Sequence, residues 1–379
     1  MARPEKYSAH KKLNRMGLFR DLIGIKETPI KSNDDFWNWF QTNEKDFFKV
    51  IKNQGNIERD FFNKLSSKLN QLRDGYWFLA GMSDNNTAEL VLTADGVYKN
   101  IVFVEELVQS APKIDNWKFT ALKPALNIND VNISMDNVKF DKDNLSFYSN
   151  DNSRYPDEID ITVIHTDYKE DIKGLITNGV YIFMDNYLGE LDFVTTIDSM
   201  RIIGKGQAEK ELIPIEKLKD YLIWRQKEFI EKYEGKRYKT VNDSYNSLEA
   251  TLNNGKPLFA IVNSALLNWD SKASHPWILT IEIKYKGKEN GMPDKETYEL
   301  MNRFEDELML ELKDSEGYLN IGRQTADSSR EIYFACKDFR FPSQVLTKFK
   351  SDYKERLSVD YDIYKDKYWK SFDRFKPEI

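Results

Sequence analysis

Two arginines and a threonine around one short turn are the residues best placed to do chemistry. Arg323 and Thr325 alternate along one expected strand, and Arg330 opens the next, beside Glu331. Two guanidinium groups near a hydroxyl could hold a carboxylate or phosphate through forked hydrogen bonds. Strict alternation puts Arg323 and Thr325 on the same face as Leu319 and Ile321. The plainer alternative is structural. Arg330 and Glu331 then form a solvated hairpin end, and Arg323 pairs with Glu305 or Asp306 on the neighbouring helix. Surface ion pairs of that kind are common and usually carry no function.

His275, within His275-Pro276-Trp277, is the second candidate. An imidazole titrates near neutral pH and can act as a general base. Catalysis would also need an orienting carboxylate and a nucleophile, and no Gly-x-Ser-x-Gly motif is present. The alternative is a turn residue whose ring bonds to backbone. His165 ends an apolar run and reads as a strand-end residue. Cys336 alternates with Phe334 and Ile332, the pattern of a core thiol.

The remaining polar motifs are weaker. Glu105-Glu106, Asp157-Glu158 and Glu305-Asp306 are adjacent pairs, and neighbours on a helix do not face one another. They define no glycosidase dyad. Gly204-Lys205-Gly206 lacks the second half of a phosphate loop. One Cys and three isolated His cannot supply a zinc site of the usual kind, and no EF-hand loop occurs. No catalytic residue, metal ligand or cofactor is therefore assigned.

The elements that must position these residues belong to a chain of 379 residues, 40% apolar, 31% charged and 13% aromatic. That length allows two or three domains with a core built on Phe, Tyr and Trp. A lone Cys excludes a disulfide scaffold, and a cytoplasmic location is expected. No apolar run approaches the ~18–20 residues that span a bilayer. The net charge is −6, yet residues 1–31 hold eight Lys/Arg against three Asp/Glu, so a basic tail of +5 precedes a body at −11. Met16, Phe19, Leu22 and Ile23 share one helical face, so residues 16–25 could lie on a membrane surface or dock as an N-terminal helix. Either Met1 or Met16 could be the native start. An acidic body offers nucleic acid little counterion-release drive, and residues 330–337 lack the Gly of the RNA-binding strand signature. No nucleic acid is expected.

Apolar periodicity predicts two helices over 34–74, strands at 76–82, 88–94 and 117–122, and a helix at 98–110 between the last two. Hairpin-like strands follow at 131–140 and 145–149, then a strand at 159–165. A helix over 168–187, a strand near 193–204 and a helix over 214–233 complete this part. Gly235 marks a boundary. Beyond extended segments at 238–252 and 257–267, the order is strand, helix, strand, strand, helix, strand, with helices at 294–313 and 342–357. That order is the ferredoxin-like plan, with both helices on one face of an antiparallel sheet. The expected class is α+β: a tail or short helix at 1–32, an N-terminal domain at 33–235 with small antiparallel sheets, and a ferredoxin-like domain at 236–379.

The C-terminal part also carries Asn254-Gly255-Lys256-Pro257-Leu258, Trp269, His275-Pro276-Trp277, Asn290-Gly291-Met292-Pro293, Glu305-Asp306, Gly322-Arg323-Gln324-Thr325, Arg330-Glu331-Ile332-Tyr333-Phe334 and Lys367-Tyr368-Trp369. Together these resemble the bacterial domain-of-unknown-function family 695, over roughly residues 236–375. Phe36-Trp37-Asn38-Trp39-Phe40, Ala94-Asp95-Gly96, Ala111-Pro112 and Leu188-Gly189-Glu190 resemble the region that precedes this domain in some bacterial hypothetical proteins. The resemblance implies a bacterial cytosolic origin and supplies no catalytic residue.

Three functional expectations follow. The first is a non-catalytic module that binds or regulates a protein partner, since aromatics and small sheet edges suit contact surfaces. The second is binding or turnover of a small anionic ligand at the C-terminal sheet, with Arg323, Thr325, Arg330 and His275 in the pocket. The third is peripheral membrane association through residues 16–25.

Overall fold

The computed structural model describes residues 29–376; the amphipathic stretch at 16–25 and most of the basic tail lie outside the described residues. Helix α1 (Asn33–Lys52) starts at Ser32, whose Oγ accepts the Asp35 N–H at 3.1 Å. Asp34 and Asp35 face its positive end, and Lys49 and Lys52 its negative end. Phe36, Phe40 and Phe47 are fully buried on one side. A π-helical turn at Glu58–Phe62 runs straight into α2 (Asn63–Leu72).

Strands β1 (Trp77–Met82) and β2 (Ala88–Thr93) pair antiparallel, whereas β3 (Trp117–Ala121) lies parallel to β2. Helix α3 (Tyr98–Gln109) is the crossover that parallel pairing requires. A small hairpin of β4 (Ile133–Met135) and β5 (Val138–Phe140) precedes β6 (Leu145–Asn150) and β7 (Asp160–His165). Then come α4 (Lys173–Leu188), α5 (Glu190–Thr196), β8 (Ser199–Gly204), β9 (Ile213–Pro214) and α6 (Leu218–Tyr233). The second sheet has the order β8-β7-β6-β9, with β7 and β8 parallel. Two of the small sheets are thus mixed, not purely antiparallel as expected, because helical crossovers link their parallel strands.

The strand expected near 193–204 is correct only in its second half. Its first half is α5, whose Leu191 and Val194 pack against one core and Phe193 and Ile197 against another. Apolar residues serving two cores mimic the period of a strand.

The rest comprises β10 (Tyr245–Thr251), β11 (Pro257–Asn263), α7 (Ser264–Leu267), β12 (Trp277–Lys284), α8 (Lys295–Glu311), β13 (Tyr318–Ala326), β14 (Ser329–Cys336), α9 (Arg340–Tyr353) and β15 (Ser358–Lys365). They build a six-stranded antiparallel sheet in the order β10-β11-β13-β14-β12-β15. Leu279, Ile281 and Ile283 of β12 share a core with α8, α9 and residues 30–122 of the first part. The opposite face carries Ile278, Leu319, Ile321 and Ala335, covered by Trp369, Phe372 and Phe375 from a 3-10 segment at Lys370–Phe375.

One bulge resets the site-bearing strand. Asn320 stands opposite Phe334 and Gly322 opposite Tyr333, so Ile321 is the extra residue of β13. Gly322 has φ +142°, and a Cβ there would overlap the Ile261 carbonyl oxygen. Alternation stops at this point. Leu319 and Ile321 enter the core beneath Trp369, while Arg323 turns to α8. The expectation that Arg323 and Thr325 share the face of Leu319 and Ile321 is therefore corrected.

Candidate functional site

Arg323, Thr325 and Arg330 do come together, beneath α8. Arg323 Nη1 meets Glu305 Oε2 at 2.6 Å, and Asn320 Nδ2 donates to Glu305 Oε1 at 3.2 Å. Thr325 stands opposite Arg330 in the β13–β14 register. Arg330 Nε donates to Thr325 Oγ1 at 3.1 Å and Nη1 to Asn302 Oδ1 at 2.8 Å. Its guanidinium lies 5.0 Å from the Tyr298 ring centroid. Asn302 and Glu305 are one helical turn apart on α8, so one helix face serves both arginines. Arg330 is wholly buried, not the solvated hairpin end that its place in the sequence suggested. Burial, together with the Arg323 charge, pulls its pKa down. As folded, its guanidinium is out of reach of a ligand in solvent.

His275 stands apart, in the loop before β12, fully buried against Trp269. The Ser274 hydroxyl donates to the Ser271 carbonyl at 2.6 Å, so it accepts from His275 Nδ1–H at 2.8 Å. Nε2 then carries no proton and has no partner among the described residues. Burial, with the Arg237 and Lys337 charges, holds this imidazole down to a pKa of about 4. Its backbone carbonyl accepts the Trp369 indole N–H at 2.9 Å. The residue is a neutral anchor. His165 also bonds to backbone: Nε2 to the Lys139 carbonyl at 2.9 Å and Nδ1 to the Asp167 N–H at 3.1 Å. Cys336 is buried, which pushes its thiol pKa well up. Among the described residues, no three His, Cys, Asp or Glu side chains gather to hold a metal ion, and no helix is long and apolar enough to cross a membrane.

Sequence spacing missed a cleft of about 480 Å³ where the β2–α3 turn meets α4, α5 and β8. Its apolar wall is formed by Tyr181, Ile182, Phe193, Val194, Ile197 and Met200. At one end Lys123 Nζ lies 2.7 Å from Asp185 Oδ2 and 3.7 Å from Asp95 Oδ1. Beneath them Glu190, 1% exposed, accepts from Thr93 Oγ1 and from the backbone N–H groups of Gly96 and Lys123. Burial alone would lower the Lys123 pKa, but the Asp185, Glu190 and Asp95 charges outweigh it and raise the value. Asp185 is itself raised, by burial and by repulsion from Glu190 and Asp95.

At the other end Asp198 takes Lys365 Nζ at 2.6 Å and Lys367 Nζ at 2.7 Å. Its Oδ2 also accepts the Ile159 N–H at 2.7 Å. Lys365 donates further to the Thr195 carbonyl at 2.6 Å. Burial and Lys367 bring the Lys365 pKa down to about 8, against the pull of Asp198. These groups come from positions scattered between 93 and 367, so no single local motif could reveal the cleft. Traces remain in Ala94-Asp95-Gly96, Leu188-Gly189-Glu190 and Lys367-Tyr368-Trp369, which carry Asp95, Glu190 and Lys367. Gly189 has φ +82°, and a Cβ there would sit 2.8 Å from the Ala125 nitrogen. The chain can therefore start α5, and place Glu190, only through glycine.

Neither the curated proteins nor the solved structures include a match to this chain. The family comparison does find one: residues 248–375 match the model of a family of unknown function, covering the six-stranded sheet from within β10 through the 3-10 segment. That family is DUF695, and the similarity is confined to this C-terminal part of the chain.

Proposed function

We propose that the chain is a non-catalytic bacterial cytosolic module that binds or regulates a protein partner through the cleft walled by α4, α5 and β8. The observation that carries this reading is the division of labour in that cleft. Tyr181 and Ile182 are exposed beside the apolar wall, while Asp95, Lys123, Asp185 and Asp198 each already have an opposite charge within reach. Such a cleft offers apolar burial to an inserted side chain and has no idle acid or base. The same reading takes the C-terminal sheet as ferredoxin-like. In its support, β13, β14, β12 and β15 follow the spatial order of a β-α-β-β-α-β chain, with β10 and β11 added at the β13 edge.

Site-specific photo-crosslinking tests the partner reading. A photoreactive side chain at Ile182 should give a discrete protein adduct in cells, and one at the exposed Lys286 should not. Tyr181→Glu should abolish the adduct. An unlabelled Ile182 position, or the same adduct from both positions, would overturn the proposal.

A further inference from the structure

A second concave site lies in the C-terminal part, and three lysines line it beside two aspartates, Asp270 and Asp373. A pocket of about 250 Å³ is lined by Lys272, Lys370 and Lys376, with Tyr155, Trp269 and Tyr368 as its aromatic wall. It forms where the loop after α7 meets the 3-10 segment that closes the sheet's second face. Both backbone pieces are anchored by the Trp369 indole bond to the His275 carbonyl. The positions of the lysines are therefore set by the fold and not by free surface chain.

The three ammonium groups are not equivalent. Lys370 Nζ meets Glu158 Oε1 at 2.6 Å, and Lys376 Nζ meets Asp373 Oδ1 at 2.7 Å. Each spends one N–H on its carboxylate and keeps the others. Lys272 is half-buried and has no hydrogen-bond or ion-pair partner among the described residues. Desolvation and repulsion from Lys376 hold its pKa below the ordinary value, and Asp270 and Asp373 oppose this only through space. A half-buried ammonium without a contact partner, facing a second cation, is an unfavourable arrangement for an empty pocket. An oxyanion bridging the two would satisfy both with charge-assisted hydrogen bonds.

We propose that this pocket is an anion site for a small oxyanion, a phosphate or a carboxylate, with Lys272 as its central donor and Lys370 and Lys376 at its rim. It is separate from the partner cleft and does not depend on it. It also uses none of Arg323, Thr325 and Arg330, where Arg323 is paired with Glu305 and Arg330 bonds Thr325 and Asn302, its buried Nη2 having no partner among the described residues.

The test uses the full chain in thermal unfolding, with inorganic phosphate or acetate titrated against chloride at matched ionic strength. Trp269 lines the pocket, so the tryptophan emission that Trp269→Phe removes gives a second readout. Saturable stabilisation by phosphate or acetate above chloride is expected, and which of them acts identifies the headgroup. Lys272→Gln should weaken the apparent affinity roughly tenfold or more, the worth of one charge-assisted hydrogen bond. Without an added anion Lys272→Gln should be at least as stable as the parent, because it removes an unpaired, half-buried charge; this separates lost binding from lost folding. Lys376→Gln should weaken binding too, whereas Lys286→Gln should not. No stabilisation beyond chloride by either anion, or an undiminished effect in Lys272→Gln, would overturn the proposal.

Discussion

The Arg340 guanidinium holds the Glu105 carboxylate through two hydrogen bonds of 2.7 Å, Nε to Oε2 and Nη2 to Oε1, and so joins α9 to α3. Around this pair Lys99 Nζ donates to the Tyr361 carbonyl at 2.7 Å, and the Tyr98 and Trp277 rings meet edge-on at 4.8 Å. Residues 30–122 are thereby packed on the helix-covered side of the six-stranded sheet as part of one continuous core. The cleft is bounded by the turn that starts α3, so it depends on that packing. Both partners of the pair are about one-third exposed, which limits what it contributes. A double-mutant cycle on Glu105→Gln and Arg340→Gln should give a coupling of about 0.5–1 kcal/mol in urea unfolding, falling with added salt.

Arg323 and Glu305 should behave differently, because Glu305 is only 5% exposed. Arg323→Ala leaves a buried carboxylate with little beyond the Asn320 amide. Its cost should be about 2–3 kcal/mol, tempered by the partial exposure of the arginine. Glu305→Gln in the same background should recover part of that loss, since it removes the stranded charge. Denaturant midpoints of the single and double variants check this. Equal stability of Arg323→Ala and the parent would return Arg323 to the pool of free, ligand-ready cations.

Three glycines separate backbone need from mere composition. Gly322→Ala should destabilise by about 2 kcal/mol or more, because the bulge fixes φ at +142° and places Val262 Cα 2.8 Å from the added methyl. Gly179→Ala in α4 should also destabilise, since the buried Phe140 ring occupies the space a Cβ needs. Gly174→Ala in the same helix meets nothing and has ordinary helical geometry, so it should stabilise by up to about 1 kcal/mol. Thermal unfolding of the three variants should show that order.

Acid stability should report His275. Its folded pKa of about 4 lies below the ordinary 6.5. Between those values the unfolded chain binds a proton that the folded chain does not. The contribution is therefore complete above pH 6.5, is lost as the pH falls towards 4, and amounts to roughly 3 kcal/mol. His275→Asn removes the titrating ring. The difference between parent and variant stability, followed from pH 7 to pH 4, should change by that amount across this window. A flat difference would mean that the imidazole is not held neutral by burial.

The sequence by itself determined the period of each element and little of its company. The helices expected at 294–313 and 342–357 appear as α8 and α9, and the alternation of Leu279, Ile281 and Ile283 appears as β12, because apolar spacing is a local property of the chain. The pairing of Arg323 with Glu305 was likewise open to reading, since a helix beside a strand offers few partners. Tertiary structure alone decided what depends on distant residues. A single bulge at Ile321 moved Arg323 and Thr325 to the other face, and no pattern in β13 marks it except Gly322. Helical crossovers made β3 and β8 parallel, which strand propensity does not encode. The cleft and the lysine pocket both draw on residues far apart in the chain, so their charges acquire partners, or lack them, only once the folded sheets bring them together.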